Sequence, residues 1–324
     1  MVPECACACR FCWARDAHAL NCHELEMANK VLVTGASGLL GRAVLQSFIN
    51  AGWDVLGLAY SRAREGLRKV DLCDPKQVEN VLDEFQPQVV IHSAAERRPD
   101  VVEKKSDSAL ALNVNATESL ATLCAQRNIY VLYISSDAVF DGKAPPYKPD
   151  SATNPLNIYG QSKRDGEITV LKHSGMGVLR VPVLYGMVED LNESSVTAVF
   201  SVLLNSDKPG KVSDYERRYP THVDDCAAVC VGLAEKQLKS GDAEGIWHWS
   251  SNECFTKYAM AGVMAELFNL KSDHLVPVRE PSGGAPRSFD SHLDVSETEK
   301  AIPIKRTPFR EGIKQVLERF APSQ

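Results

Sequence analysis

Nowhere in these 324 residues does an apolar run approach the roughly 18–20 positions that a bilayer-spanning helix needs, so no such span is expected. An excess of basic charge is missing as well. The formal net charge of -6 leaves no global field to draw in nucleic acid or an anionic membrane. There is no internal repeat and no low-complexity block. The paired Cys-x-x-Cys spacing of a zinc site is also absent, although the chain has ten cysteines. Five of them, Cys5, Cys7, Cys9, Cys12 and Cys22, crowd the beginning of the chain beside His18 and His23, and no metal site is expected there. A signal peptide is not expected either. The start lacks a positive n-region, and Arg10, Arg15 and Asp16 interrupt any apolar core. Residues 1–27 read as a disordered extension that contributes nothing to the fold, since Met27-Ala28-Asn29-Lys30 directly precedes the first strand. The other cysteines, Cys73, Cys124, Cys226, Cys230 and Cys254, lie mostly in apolar contexts and read as buried thiols of a reducing, cytoplasmic compartment.

What is present suits a globular chain. Hydrophobic residues make up 44% and charged residues 24%, enough for one large or two modest domains with a full core. The most informative stretch runs from Lys30 to Gly41. Val31 to Val33 reads as a buried strand. Gly35, Gly38 and Gly41 follow, and Leu39, Leu40, Val44 and Phe48 recur at helical spacing. Strand, glycine turn and helix together suit a dinucleotide. Gly35 permits the tight turn, Gly38 lets backbone approach a pyrophosphate, and Gly41 lets the helix lie close to the strand. The free N–H groups of the helix start would face the phosphates.

The next elements repeat the alternation. The first helix should stop near Ala51-Gly52, and Trp53 to Leu58 reads as the second strand. An NAD site usually carries an acidic residue at the end of that strand. Here Ala59-Tyr60-Ser61-Arg62-Ala63-Arg64 offers guanidinium groups and a hydroxyl instead, which suit a 2′-phosphate. NADP is therefore the expected cofactor. Val70-Asp71-Leu72-Cys73 reads as a short strand running into a helix start, with Asp71 and Leu72 beside the adenine. Val89 to His92 is the next buried strand, followed by a turn through Ser93 and a charged loop from Glu96 to Asp100. Asn113 is expected on a long helix reaching about Arg127. This strand–helix order predicts an α/β fold with a parallel, doubly wound sheet.

Tyr130 to Ile134 should deliver Ser135-Ser136-Asp137-Ala138 to the ligand edge of that sheet. Downstream, Tyr159 and Lys163 stand four apart, on one helical face. A phenol is a poor acid–base group at neutral pH, and an ammonium one turn away favours its ionised form. Lys163 can also hold ribose hydroxyls, and Ser136 can orient a carbonyl.

In the second half the alternation loosens. Helices are expected over Ser194–Leu204, Val223–Gln237, from a Thr256 cap through Leu267, and over Phe309–Phe320. Tyr215 to Pro220 reads as a basic, aromatic loop at a substrate mouth. Trp247-His248-Trp249 reads as a short strand with His248 packed or at the surface rather than ligating. Ser282 to Arg287 reads as a flexible loop.

Thr34 to Gly41, the Ser136/Tyr159/Lys163 set and Arg180-Val181-Pro182-Val183-Leu184-Tyr185-Gly186 resemble the extended short-chain dehydrogenase/reductase superfamily. Ser135-Ser136-Asp137-x-Val139-Phe140-Asp141-Gly142 is similar to the branch containing dTDP-4-dehydrorhamnose reductase. Within it, Ala94 to Glu103, Tyr219-Pro220-Thr221-His222-Val223, His248-Trp249-Ser250 and Thr256-Lys257-Tyr258 resemble the regulatory β subunits of methionine adenosyltransferase. The resemblance runs from about Lys30 to about Leu317.

It implies a Rossmann-type unit over 28–324, with a smaller lobe built mainly from about 186–324. It also implies cofactor contacts on Ser37, Gly38, Leu39, Leu40, Tyr60, Ser61, Arg62, Asp71, Leu72, Ser93, Arg97, Tyr159, Lys163 and Leu184. Its functional implication is a regulatory subunit that binds the catalytic subunit of methionine adenosyltransferase and modulates S-adenosylmethionine synthesis without obligatory turnover. The alternative is an NADPH-dependent reductase of a nucleotide-linked 4-keto-6-deoxy sugar. Ala138 departs from both groups, which carry tyrosine there. The β subunits also typically carry a longer basic, aromatic tail than Phe320-Ala321-Pro322-Ser323-Gln324.

Overall fold

The computed structural model describes residues 28–322. The reading of residues 1–27 as a disordered extension lies outside them.

Among the described residues, seven strands form one parallel sheet: β1 (Lys30–Thr34), β2 (Asp54–Ala59), β3 (Leu67–Lys69), β4 (Val89–His92), β5 (Tyr130–Ser136), β6 (Gly177–Val181) and β10 (Gly245–His248). Their order is β10-β6-β5-β4-β1-β2-β3. The chain therefore winds one way from β1 through β2 and β3, then returns to the other side of β1 through β4. A crevice opens over the carboxyl ends of the strands at that reversal.

Helical crossovers join most of these parallel strands and cover both faces of the sheet, while a loop joins β2 to β3. On one face lie α1 (Leu39–Asn50) and α8 (Val223–Ser240), with Val44, Phe48, Cys226, Cys230 and Leu233 buried against Val31 and Val33. On the other lie α2 (Pro75–Phe85), α5 (Ala116–Ala125) and α6 (Ile158–Leu171), with Val81, Leu120 and Val170 buried against Leu32 and Val131. Full burial of side chains this size contributes about 1.5–3 kcal/mol each, so the sheet's two faces carry most of the fold's driving force.

The second half is divided between two tasks. Its β10 extends the main sheet by pairing with β6, and α8 packs on α1. The remainder builds a lobe around its own core. There α7 (Ala198–Leu204), α9 (Lys257–Phe268) and α11 (Phe309–Leu317) enclose Phe200, Met260, Met264, Phe309 and Ile313. Leu39, at the start of α1, packs on that core as well as on the sheet core. Two short parallel pairs complete the lobe, β7 (Leu184–Tyr185) with β9 (Thr221–His222) and β8 (Gly210–Ser213) with β11 (Leu275–Val278).

Several features differ from the sequence reading. Cys124, Cys226 and Cys230 are buried as expected, but Cys73 and Cys254 are exposed. The strand expected at Val70–Cys73 lies at Leu67–Lys69 instead, on the sheet edge, where Arg68 and Lys69 can face water. Pro99 and Asp100 leave the charged loop and open the short helix α3 (Pro99–Lys104), with the proline at a position where its missing N–H costs nothing. The long helix through Asn113 is interrupted. After α4 (Ser106–Leu110), residues Ala111–Asn115 form a π turn before α5. The helix expected from Ser194 begins only at Ala198, behind a 3₁₀ turn at Leu191–Glu193. Thr256 does cap α9, accepting from the Ala259 N–H at 3.1 Å.

Candidate functional site

A cleft of about 880 Å³ lies over the carboxyl ends of the central strands and runs under the second lobe. Its floor is the glycine loop. Gly35 has φ +66°, and a Cβ there would meet the Ala94 backbone at 2.8 Å. A Cβ on Gly41 would lie 2.2 Å from the Gly35 carbonyl oxygen, so only glycine lets α1 start this close to the turn. Gly38 is the N-cap of α1; among the described residues no side chain caps it, and no acidic residue lies in the first turn. The helix start therefore presents N–H groups and positive dipole to the cleft.

Behind the loop, a buried relay fixes its neighbours. The Thr117 hydroxyl donates to the Asn113 carbonyl at 2.9 Å, so it accepts from His92 Nε2 at 2.9 Å. His92 Nδ1 then accepts from the Thr34 hydroxyl at 2.7 Å. Burial first, and the Lys163 charge second, push the His92 pKa down to about 3, keeping the ring neutral and this assignment in place. The Ser93 hydroxyl donates to the Thr34 carbonyl at 2.7 Å, which holds the Ser93–Ala95 turn against the glycine loop.

At one end of the cleft stand Tyr60, Ser61, Arg62, Asp71 and Leu72, around Ser37, Gly38, Leu39 and Leu40. Arg62 bonds Glu193 at 3.2 Å, whereas Arg64 pairs with Glu189 and is not on the cleft wall. Glu193 also takes both terminal nitrogens of Arg42 at 2.8 Å, and its carbonyl accepts from Arg97. Burial would raise the Glu193 carboxyl. The bonds from Arg42 and from the Glu189 N–H, with the Arg42 charge and the Arg62 bond, outweigh that and bring it down to about 2.

At the centre, β5 carries Ser136 and α6 carries Tyr159 and Lys163, and Ser93, Arg97 and Leu184 line the cleft with them. The helix is positioned by contact: a Cβ on Gly160 would lie 2.3 Å from the Ala138 carbonyl oxygen. Asn113, in the π turn, donates to the Glu96 carbonyl and to Ser162 Oγ, both at 3.1 Å, and accepts from the Glu96 N–H at 2.9 Å. It thereby ties the charged loop to the helix of Tyr159. Ser136 Oγ accepts from the Ala138 N–H and donates to Asp137 Oδ1, each at 3.1 Å. Burial raises the Tyr159 phenol to about 12, with Ser136 pulling the other way. Burial lowers the Lys163 ammonium to about 7, against the Glu167 charge.

The far end is lined by Glu216, Arg218, Lys257, Ser282, Arg287 and Ser288. Of the expected mouth loop, Glu216 and Arg218 reach the cleft. The Ser282–Arg287 segment is tied down, since Asp100 accepts from the Ala285 N–H at 2.9 Å and from Arg287 at 2.8 Å. His248 is fully buried between Arg180 and the Asp294 carbonyl and is a packed residue. The sequence reading places none of Arg42, Glu193, Lys257 and Arg287 at the site, because local spacing does not show that their elements converge there.

Three comparisons bear on this geometry. The RmlD substrate binding domain family matches residues 29–321. The chain is 48% identical over 295 residues to methionine adenosyltransferase 2 subunit beta of Xenopus laevis, covering 90% of this chain and 88% of that protein. It is 28% identical to dTDP-4-dehydrorhamnose reductase of Aggregatibacter actinomycetemcomitans, covering 89% and 98%. The crystal structure of a dTDP-4-dehydrorhamnose reductase from Bacillus anthracis in complex with NADP superposes with a TM-score of 0.77 at 24% identity, over 90% of this chain and 99% of that one; at that identity the likeness is one of fold.

Proposed function

The chain belongs to the RmlD substrate binding domain family and, within it, groups with the beta subunits of methionine adenosyltransferase 2, and from that premise we propose that it is an NADP-binding regulatory subunit of methionine adenosyltransferase. In this role it docks on the catalytic subunit in the cytoplasm and modulates S-adenosylmethionine synthesis. The observation that carries the proposal is the 48% identity to a subunit beta across 90% of the chain, against 28% to a sugar reductase.

The residues present fit a nicotinamide dinucleotide. The glycine cradle leaves space that a Cβ would fill, and the uncapped start of α1 supplies donors for a pyrophosphate. Gly35, Ser37, Gly38, Leu39, Leu40 and Gly41 would hold the pyrophosphate. Asp71 and Leu72 would flank the adenine, and Tyr60, Ser61 and Arg62 the 2′-phosphate. Ser93, Arg97, Leu184, Tyr159 and Lys163 would hold the nicotinamide half. Residues 28–324 act as one binding unit, its lobe from about 186 onward closing the cleft. A ligand that binds only the folded form stabilises it by mass action, so the nucleotide can support the subunit's fold without being consumed.

The second reading is the reductase. Ser136, Tyr159 and Lys163 all line the cleft, and they are the residues that such an activity needs. NADP, when bound, supplies a hydride donor or acceptor. The phenol of Tyr159, kept protonated by its burial, would hold the proton. Lys163 would hold ribose hydroxyls in either reading, so the set does not by itself require turnover.

A paired assay separates the two. Purified chain mixed with the catalytic subunit is expected to form a complex and shift the methionine kinetics, with negligible NADPH oxidation on a dTDP-4-keto-6-deoxy sugar. Steady oxidation without complex formation reverses the ranking.

A further inference from the structure

Glu193 comes from the second half of the chain, in the 3₁₀ turn Leu191–Glu193, yet it meets two arginines of the first half. Its two carboxylate oxygens take Arg42 Nη1 and Nη2 at 2.8 Å in a fork. Oε1 also accepts Arg62 Nη1 at 3.2 Å. The Glu193 side chain is 7% exposed and that of Arg62 is 55% exposed, so a fixed carboxylate holds a guanidinium that otherwise faces water. Among the described residues, Glu193 is the one hydrogen-bond partner of the Arg62 side chain. The other terminal nitrogen, Nη2, lies by the glycine loop, 3.8 Å from where a Cβ on Gly38 would sit.

We propose that Glu193 is a specificity-determining positioning residue, which holds Arg62 where the 2′-phosphate of NADP arrives and so sets the preference for NADP over NAD; this rests on the coenzyme reading above. Two effects oppose each other. A carboxylate repels a phosphate, so its removal would by charge alone favour NADP. Arg42 already neutralises Glu193 in bidentate geometry, however, and solvent screens the exposed Arg62. Position outweighs charge. An unanchored Arg62 must be immobilised at the moment of binding.

The test is calorimetric titration of the full chain with NADP⁺ and with NAD⁺, in the unsubstituted protein, Glu193→Ala, Arg62→Ala and the double variant. The two coenzymes differ only by the 2′-phosphate, so a general folding or loop defect weakens both alike. Glu193→Ala is expected to reduce the NADP/NAD preference about 3- to 10-fold, the entropic equivalent of fixing one long side chain. In the Arg62→Ala background it should change the preference no further. Glu193→Gln keeps an accepting oxygen and should retain part of the preference. An unchanged or increased preference in Glu193→Ala overturns the proposal, as does an equal loss without Arg62. If the unsubstituted chain bound neither coenzyme, the coenzyme reading would fall and this proposal with it. If it bound NADP tightly and Glu193→Ala left the preference intact, only this proposal would fall.

Discussion

Lys163 holds its ammonium 4.0 Å from the centre of the Tyr133 ring, deep in the sheet, while its neighbour one turn back on α6 is Tyr159. An aromatic face compensates a buried cation only in part, so burial still lowers the lysine to about 7. The ring belongs to β5, the strand that also carries Ser136, so one strand supports both the lysine and the serine.

A proton-linked binding event is the consequence. An anionic nucleotide favours charged Lys163, so binding near neutral pH should take up a proton, and affinity should fall as pH rises through about 7. Titrations in buffers of different ionisation enthalpy would measure that uptake. Lys163→Met should abolish it; uptake of equal size in the variant would assign the proton elsewhere.

Gly38→Arg should abolish nucleotide binding. A Cβ at that position already lies 3.2 Å from the Gly35 carbonyl oxygen, and the longer side chain would occupy the phosphate approach. Calorimetry or a thermal-shift titration reads the result. A normal titration would remove the glycine loop from the site.

Arg62→Ala should weaken NADP by about tenfold and leave NAD nearly unchanged, as expected for loss of one charge-assisted bond to a phosphate. Equal losses for the two coenzymes would place the 2′-phosphate away from Arg62.

Glu167→Ala should destabilise the fold, besides removing the charge that opposes the lowering of Lys163. Glu167 receives Arg180 Nε at 2.8 Å and Nη2 at 2.7 Å, and the two side chains are 4% and 3% exposed. Removing the carboxylate leaves a buried guanidinium without its counter-charge, which costs about 3–5 kcal/mol. Chemical denaturation would show it as a lowered midpoint; a loss under about 1 kcal/mol would mean that the Pro149 carbonyl and His248 suffice for Arg180.

Acid should release the Glu193 clasp. Its carboxyl is held at about 2 in the fold, below its ordinary value of 4.5, so its contribution is present above 4.5 and is lost as pH falls toward 2. Acid unfolding of Glu193→Gln should therefore be less steep across that interval than in the unsubstituted chain.

Much of this protein is written in local pattern. The strand–glycine–helix run from Lys30, the four-residue step from Tyr159 to Lys163 and the Thr256 cap each depend on neighbours within one or two turns, where spacing dictates geometry. The displaced third strand shows where pattern fails. Leu67-Arg68-Lys69 has no apolar alternation, and it pairs because β2 offers an open edge. The π turn at Ala111–Asn115 is equally silent, since Asn113 is drawn inward by Glu96 and Ser162 rather than by its helix.

By itself, then, the order of residues determined a parallel, doubly wound sheet, a glycine-bordered ligand edge and the identity of the groups along it, because those follow from short-range sterics and periodicity. Tertiary structure alone decided that β10 and α8 return to the first half's layers, and that Glu193 closes on Arg42 and Arg62 from 151 and 131 residues away. Such contacts are chosen by the packing of whole faces and by the need to pair charge as water leaves, and no local spacing encodes them.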